Sequence, residues 1–138
     1  CNYLLINRTI IKNLKSKGNG GFILFSNSQL FQESNHTIQN SQFYDVHANN
    51  GGVFYIDNDV LTLKNNTFLN NGALLNGGVI FFLCNDYKSE LCGLNLLYNH
   101  FEMNYAGNHG GVIQWKFKKP NLRENAFVKN KARNYGKI

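Results

Sequence analysis

Residues 66–80 read NTFLNNGALLNGGVI, and two later stretches repeat this pattern at constant spacing. Residues 99–113 read NHFEMNYAGNHGGVI, and residues 125–138 read NAFVKNKARNYGKI. In each stretch a Phe-x-x-Asn motif begins nine residues before a glycine: Phe68 and Gly77, Phe101 and Gly110, Phe127 and Gly136. Internal repetition at a fixed offset is the sequence signature of a solenoid.

Two weaker copies of the pattern precede these three. One row, a residue shorter before its glycine, consists of Ile38, Ser41, Phe43, Val46, Ala48 and Gly51. The other, a residue longer, consists of Leu5, Arg8, Ile10, Asn13, Lys15 and Gly20. The successive phenylalanine anchors lie 25, 33 and 26 residues apart, from Phe43 to Phe127. Such uneven spacing argues against arrays of paired helices and favours a coil of short strands with inserted loops at one corner.

One repeat contains three short strand patterns separated by turn residues. Residues 53–56, 60–63 and 67–69 have strand composition, and Asp57-Asn58-Asp59 and Asn65-Asn66 separate them. Three strands per repeat, each pairing with its equivalent about 4.8 Å away, is the arrangement of a parallel β-helix. The sequence therefore predicts an all-β right-handed parallel β-helix of about five rungs, one domain over residues 1–138. Because the last row stops at Ile138 within a repeat, we expect a fragment of a longer solenoid.

The recurrent apolar residues predict four inward ladders. These are Ile23, Phe54, Ile80 and Ile113; Phe25, Ile56, Phe82 and Trp115; Phe43, Phe68, Phe101 and Phe127; and Ile38, Leu63, Leu96 and Leu122. Two asparagine columns mark the corners, namely Asn66, Asn99 and Asn125, and Asn71, Asn104 and Asn130. Stacked asparagines can bond amide to amide along the axis and satisfy polar groups at the bends.

The positions beside the first ladder are also mostly apolar. They are Phe22, Leu24, Val53, Tyr55, Val79, Phe81 and Val112, with Gln114 as the exception. A solvated outer face of a sheet should be polar. This row therefore indicates an outward face covered by another chain, another part of the protein or an inserted loop. The alternative is an ordinary β-branched exterior.

Composition limits the other possibilities. The chain has 24 asparagines, one proline and 16% charged residues, which disfavours both an all-helical fold and disorder. The net charge of +6 is concentrated near the C-terminal end, where Lys129, Lys131 and Arg133 form a candidate patch for an anionic ligand. A solvated edge is the other interpretation. No apolar run is long enough to span a bilayer.

Cysteines and sequons point to an oxidising compartment. Cys84 and Cys92 flank the longest insertion, and a disulfide there would close its base. Reduced thiols are the alternative, and Cys1 is left over for a partner outside this stretch. No cysteine spacing supplies a zinc site, and no cofactor is indicated. Asn-x-Thr sequons stand at Asn7, Asn35 and Asn65, and we place Asn7 and Asn65 in one outward column.

Catalytic residues are not indicated. Polysaccharide lyases and hydrolases need clustered carboxylates, often with calcium. The nearest pair, Asp57 and Asp59, sits in a turn and is interpreted as a turn former. The histidines show no triad-like relation to a serine or cysteine; they are His36, His47, His100 and His109. We expect no enzyme, although a lyase-type β-helix remains the least favoured alternative.

The pairing of Gly-Gly-x-Ile with Phe-x-x-Asn resembles the repeats of polymorphic outer-membrane proteins, within the pectin-lyase-like β-helices. It is carried by residues 20–23, 77–80 and 110–113 and by the three Phe-x-x-Asn motifs. Residues 51–54 depart from it, since Phe54 replaces isoleucine. The resemblance implies a surface-exposed or secreted β-helix that serves in adhesion or as a stalk.

Two functions follow as expectations. The first is a non-catalytic structural or adhesive module of an extracellular or cell-surface glycoprotein that associates with itself or with other chains, for example in a fibre. The alternative is a glycan-binding module that uses the aromatic residues Tyr55 and Tyr105 beside the basic patch. Nucleic-acid binding is not expected, because no interleaved basic and aromatic motif is present.

Overall fold

The structure is a computed structural model that describes residues 2–27, 33–85 and 90–136. These residues form seventeen strands and no helix. The strands form three sheets, called I, II and III here, in which every pairing is parallel. Sheet I contains β1 (Tyr3–Asn7), β4 (Asn35–Gln39), β7 (Val60–Lys64), β11 (Gly93–Leu97) and β15 (Asn121–Arg123).

Sheet II is the largest and sheet III the smallest. Sheet II contains β2 (Ile10–Lys15), β5 (Gln42–Ala48), β8 (Thr67–Leu69), β9 (Gly72–Ala73), β12 (His100–Glu102), β13 (Tyr105–Ala106), β16 (Ala126–Val128) and β17 (Lys131–Ala132). Sheet III contains β3 (Ile23–Ser26), β6 (Phe54–Asp57), β10 (Ile80–Leu83) and β14 (Ile113–Lys116). The chain passes from sheet I to II to III and then returns to the next strand of sheet I.

The strand register confirms the predicted ladders from the second repeat onward. Phe43, Phe68, Phe101 and Phe127 are direct partners in sheet II, with ring centroids 4.9, 4.9 and 5.1 Å apart and nearly parallel planes. Ile38, Leu63, Leu96 and Leu122 are partners in sheet I. Both predicted ladders of sheet III are also in register. The core contains residues of all three sheets.

The first repeat is displaced by one residue from the predicted frame. Ile6 pairs with Ile38 and Ile11 pairs with Phe43, whereas the predicted anchors Leu5 and Ile10 are 66% and 61% exposed. The stretches 4–6 and 10–11 are uniformly apolar, so composition alone does not reveal which residue faces inward. A shift of one residue exchanges the two faces of a strand. With Ile11 as anchor, Gly20 follows after nine residues, as in the three clear repeats.

Both asparagine columns are hydrogen-bonded as predicted. The Oδ1 atom of Asn99 accepts from the backbone N and the Nδ2 of Asn66 at 3.0 and 3.1 Å, and its Nδ2 donates to the Leu63 carbonyl. The same pattern recurs at Asn104. The two repeats without asparagine in the second column have unbroken strands, β2 and β5, at the place where the later repeats divide into two. The corner asparagines thus form hydrogen bonds with backbone groups that pair between strands where the strand is unbroken.

The two glycines of each pair have different roles. Gly51 has φ of 60°, in the left-handed region that glycine adopts without strain. A Cβ on Gly52 would lie 2.1 Å from the Gly78 carbonyl oxygen and 2.6 Å from that of Gly72. The first glycine therefore allows the turn, and the second allows backbone segments of neighbouring repeats to approach each other.

Candidate functional site

The predicted apolar interface is wrong for its three valines. Val53, Val79 and Val112 are fully buried in the core, and Phe22 packs against that core. The reason lies at the corner before sheet III. The backbone N–H groups of Val53 and Phe54 both donate to the Val79 carbonyl, so strand alternation starts only at Phe54. Consecutive residues therefore both point inward, as at a β-bulge.

The outward face of sheet III keeps three apolar side chains in one register. Leu24 is 52% exposed and is paired with Tyr55, and Tyr55 is paired with Phe81. The rings of Tyr55 and Phe81 stack with centroids 5.0 Å apart, and the Lys116 Nζ lies 5.7 Å from the Phe81 centroid. Burial, with a smaller contribution from the Asp57 carboxylate, raises the pKa of the Tyr55 phenol above its ordinary value. Of the three, Phe81 is buried and Tyr55 half-buried, contrary to the prediction of an exposed apolar row, and only Leu24 is broadly exposed.

The three sequon asparagines are exposed, with Asn7 and Asn65 at one corner. The prediction that Asn7 and Asn65 share a column is wrong by one residue, because Asn7 pairs with Gln39, which pairs with Lys64. Asn40 joins them: its Nδ2 donates to the Asn7 Oδ1 at 3.0 Å, and its Oδ1 accepts from the Asn65 Nδ2 at 2.8 Å. Asn35 is the first residue of β4, so it lies where the strands of sheet I begin, whereas Asn7 and Asn65 lie where they end.

Cys84 and Cys92 are joined by a disulfide, with their Cα atoms 5.9 Å apart. Both are buried in the core cluster, and the Lys118 Nζ donates to the Cys92 carbonyl at 2.8 Å. Residues 86–89 of the insertion, and Cys1, lie outside the described residues. The bond joins the end of sheet III to the start of the next strand of sheet I across a separation of eight residues.

Reducing this disulfide should lower the free energy of unfolding by about 2–3 kcal/mol, because a closed loop of this size restricts the unfolded chain. The melting temperature should then fall by about 5–10 °C when a reductant is added. A Cys84→Ala/Cys92→Ala variant should melt at the lower temperature with or without reductant. A wild-type melting temperature unchanged by a reductant that frees both thiols would contradict this prediction.

A buried polar cluster, which the sequence did not predict, joins two consecutive repeats where their sheet I strands begin. Asp59 accepts a hydrogen bond from the Ser34 hydroxyl, and its Oδ2 lies 3.1 Å from the His36 Nε2. All three are buried, and the His36 ring stacks on Phe25 at 4.7 Å. The carboxylate stands between serine and histidine, whereas in a nucleophilic triad the histidine stands between serine and carboxylate. The geometry is therefore that of a core hydrogen-bond network.

The remaining acids and histidines are dispersed. The His100 Nε2 lies 3.0 Å from the Glu102 Oε2, and the His109 ring stacks on Tyr135 at 5.7 Å. Within residues 2–27, 33–85 and 90–136, no group of three or more His, Cys, Asp or Glu side chains could hold a metal ion. Over the same residues, no helix is long and apolar enough to cross a membrane.

The basic patch lies beside one of the two tyrosines of the glycan alternative. Lys131 is the strand partner of Tyr105 on sheet II, and Lys129 lines the same surface depression of about 560 Å³. Tyr55 lies on sheet III and is not part of this surface. Arg133 follows β17 and is exposed. The structure thus brings Tyr105 together with the lysines and leaves Tyr55 apart.

Comparison with known proteins gives no further guide to this surface. No protein-family model, no curated protein and no solved structure matches the chain.

Proposed function

We propose that this chain is a right-handed parallel β-helix module with a non-catalytic, structural or adhesive role in an extracellular or cell-surface protein. The observation that carries the proposal is the set of residue ladders that run unbroken from repeat to repeat in all three sheets. Ladders of this kind extend along one axis and leave the outer faces for contacts with other molecules.

Closure into a helix is supported by contacts between the sheets. The Phe43 ring of sheet II lies 5.4 Å from the Phe54 ring of sheet III, edge to face. Phe25 of sheet III stacks on His36 of sheet I. Because each sheet is parallel, every return to it is a crossover through the other two sheets, and such crossovers are right-handed in nearly all proteins.

An extracellular location is supported by the disulfide and by the sequons. Disulfides persist mainly in oxidising compartments. Asn7, Asn35 and Asn65 are exposed, and an N-linked glycan leaves one amide hydrogen on Nδ2, so the bond from Asn65 to Asn40 is compatible with glycosylation. Secretion of the chain from eukaryotic cells, followed by N-glycosidase treatment and mass spectrometry, tests whether these three sites carry glycans.

Association is supported by the last described repeat. Trp115 and Leu122 continue two inward ladders at one edge of the described sheets, where they are 41% and 42% exposed. Solenoids need a polar cap or further repeats at such an end. A second copy would cover this surface and pair with the edges of β14 and β15 that carry no strand in the described part of the chain.

Sedimentation of the 138-residue chain over a range of concentrations tests the association. We expect concentration-dependent, elongated oligomers that a Leu122→Glu variant disrupts. Leu24→Glu reports on the outer face of sheet III instead, and Leu75→Glu serves as a matched control because Leu75 is 49% exposed. A chain that stays monomeric at all concentrations would overturn the self-association part of the proposal.

A further inference from the structure

A line of five outward positions crosses sheet II, one from each repeat. Lys15 pairs with His47, and His47 pairs with Gly72. Gly72 pairs with Tyr105, and Tyr105 pairs with Lys131. Four steps between adjacent strands span about 19 Å. The line therefore has a lysine at each end and a glycine at its centre.

The glycine makes the centre of this line a depression. A cavity of about 440 Å³ lies over Gly72, bounded by Lys15, His47 and Tyr105. A Cβ on Gly72 would lie 2.9 Å from the His47 Nδ1, which shows how closely that ring approaches the floor. On the other side of Tyr105 lies the depression of about 560 Å³ with Lys129 and Lys131. Together these form a trough along the repeat axis with Tyr105, 48% exposed, between its halves.

The trough is cationic. Lys15, Lys129 and Lys131 are all exposed along it. In the part of the chain that the structure describes, no carboxylate lines either depression. Asp45 lies outside both linings and accepts a hydrogen bond on its Oδ1 from the Asn70 Nδ2, so one negative charge stands beside a trough that carries three lysines. An anionic ligand is therefore favoured by charge.

The side chains also indicate which anion fits. The arginine fork binds carboxylate or phosphate oxygens in a fixed plane, whereas lysine acts as a point charge without a preferred plane. The cations along the trough are lysines, which can accept a sulfate ester in any orientation. An exposed aromatic ring between cations offers an apolar face for a sugar ring. A linear ligand with regularly spaced charges matches a line of strand positions.

We propose that this trough binds a sulfated polysaccharide that lies along the repeat axis. One sugar ring packs on Tyr105, and sulfate groups contact Lys15 at one end and Lys129 and Lys131 at the other. The sulfated polysaccharide would be the partner in the adhesive role proposed above, and its identification as a biological partner rests on that role.

Binding to heparin, measured by calorimetry at physiological salt, tests the inference. In the Lys129→Glu/Lys131→Glu variant we expect the dissociation constant to rise at least about tenfold, because the sulfate contacts at that end of the trough are lost. Tyr105→Ala should weaken binding several-fold, and Tyr105→Phe should not. Gly72→Leu fills the trough without changing charge and should also weaken binding. Lys64→Glu/Lys119→Glu is the charge-matched control away from the trough and should bind nearly as wild type does.

Three outcomes would overturn the inference. The first is equal weakening by the control pair, which indicates attraction to net charge alone. The second is an unchanged affinity in both Tyr105→Ala and Gly72→Leu. The third is equal affinity for desulfated heparin, for a polyuronate or for single-stranded nucleic acid. Sedimentation and circular dichroism of the same proteins distinguish this failure from that of the proposed function: absent heparin binding with intact fold and association leaves the structural role standing.

Discussion

Replacing Phe68 with alanine should lower the free energy of unfolding by about 3–5 kcal/mol. Phe68 is fully buried, and its ring stacks between those of Phe43 and Phe101, each 4.9 Å away. The Phe54 ring packs against it edge to face at 6.1 Å. Hydrogen-bonded strands on both sides fix the backbone, so the cavity left by the ring cannot close. Urea unfolding followed by circular dichroism measures the loss.

The end of the same ladder provides the matched control. Phe127 occupies the same column but is only partly buried, and among the described residues it stacks on Phe101 alone. Phe127→Ala should therefore cost less than half as much as Phe68→Ala. Equal losses at the two positions would show that stacking between repeats does not stabilise the fold. A loss below about 1 kcal/mol for Phe68→Ala would mean that the site collapses around the cavity.

The ladders were predictable because their residues alternate clearly within strands. Phe43 and Phe101 each stand between more polar neighbours, and Phe68, which is followed by Leu69, is assigned by its place in the repeated Phe-x-x-Asn motif. Alternation fails at the corners. Val53 precedes Phe54 directly, and both point inward because their backbone N–H groups share one acceptor. Strict inward–outward alternation, with its period of two residues, cannot describe such a corner. Alternation therefore predicts the wrong face for the valines.

The trough could not be predicted for a related reason. In the sequence frame Lys15 stands with the inward alanines Ala48 and Ala73, whereas in the structure it pairs with His47. The one-residue displacement of the first repeat separates Lys15 from Tyr105 and hides the line of outward residues. The sequence indicates only the lysines at the other end, Lys129 and Lys131, because they lie in and beside the Phe-x-x-Asn motif that begins at Phe127.

The buried Ser34–His36–Asp59 cluster left one signal in the sequence. His36 pairs with Leu4 and with Leu61, so it interrupts an inward apolar column. A polar residue in such a column needs a buried partner. Asp59 belongs to the next repeat, and only the register of sheet I shows that the two approach each other.

Replacing Asn104 with valine should lower the free energy of unfolding by about 3–5 kcal/mol, since each buried group left without a partner costs about 1–3 kcal/mol. The Asn104 Oδ1 accepts from the backbone N and the Nδ2 of Asn71, at 2.9 and 3.1 Å. Its Nδ2 donates to the Phe68 carbonyl and to the Asn130 Oδ1, both at 3.0 Å. Asn104 is 1% exposed, so water cannot replace these bonds. Urea unfolding again gives the measurement.

Asn121→Val is the control for this change. Asn121 is exposed, and its Nδ2 donates to the Asn95 Oδ1 at 2.9 Å. Its loss should stay within about 0.5 kcal/mol, as for most surface substitutions. Similar losses at Asn104 and Asn121 would show that the buried ladder contributes no more than an exposed amide pair.

Valine already occupies this column in the second repeat, which makes the prediction dependent on position. Val46 is fully buried, and its backbone N still donates to the Asn71 Oδ1 at 3.0 Å. The side-chain acceptor that Val46 lacks would serve Leu14, which lies in the unbroken strand β2 paired with β5. At Asn104 the corresponding groups lie in the interior. An asparagine is therefore dispensable where the strand runs unbroken through the corner, as in β2 and β5, and required where the repeat divides into two strands, because there strand pairing does not serve the backbone groups of the corner.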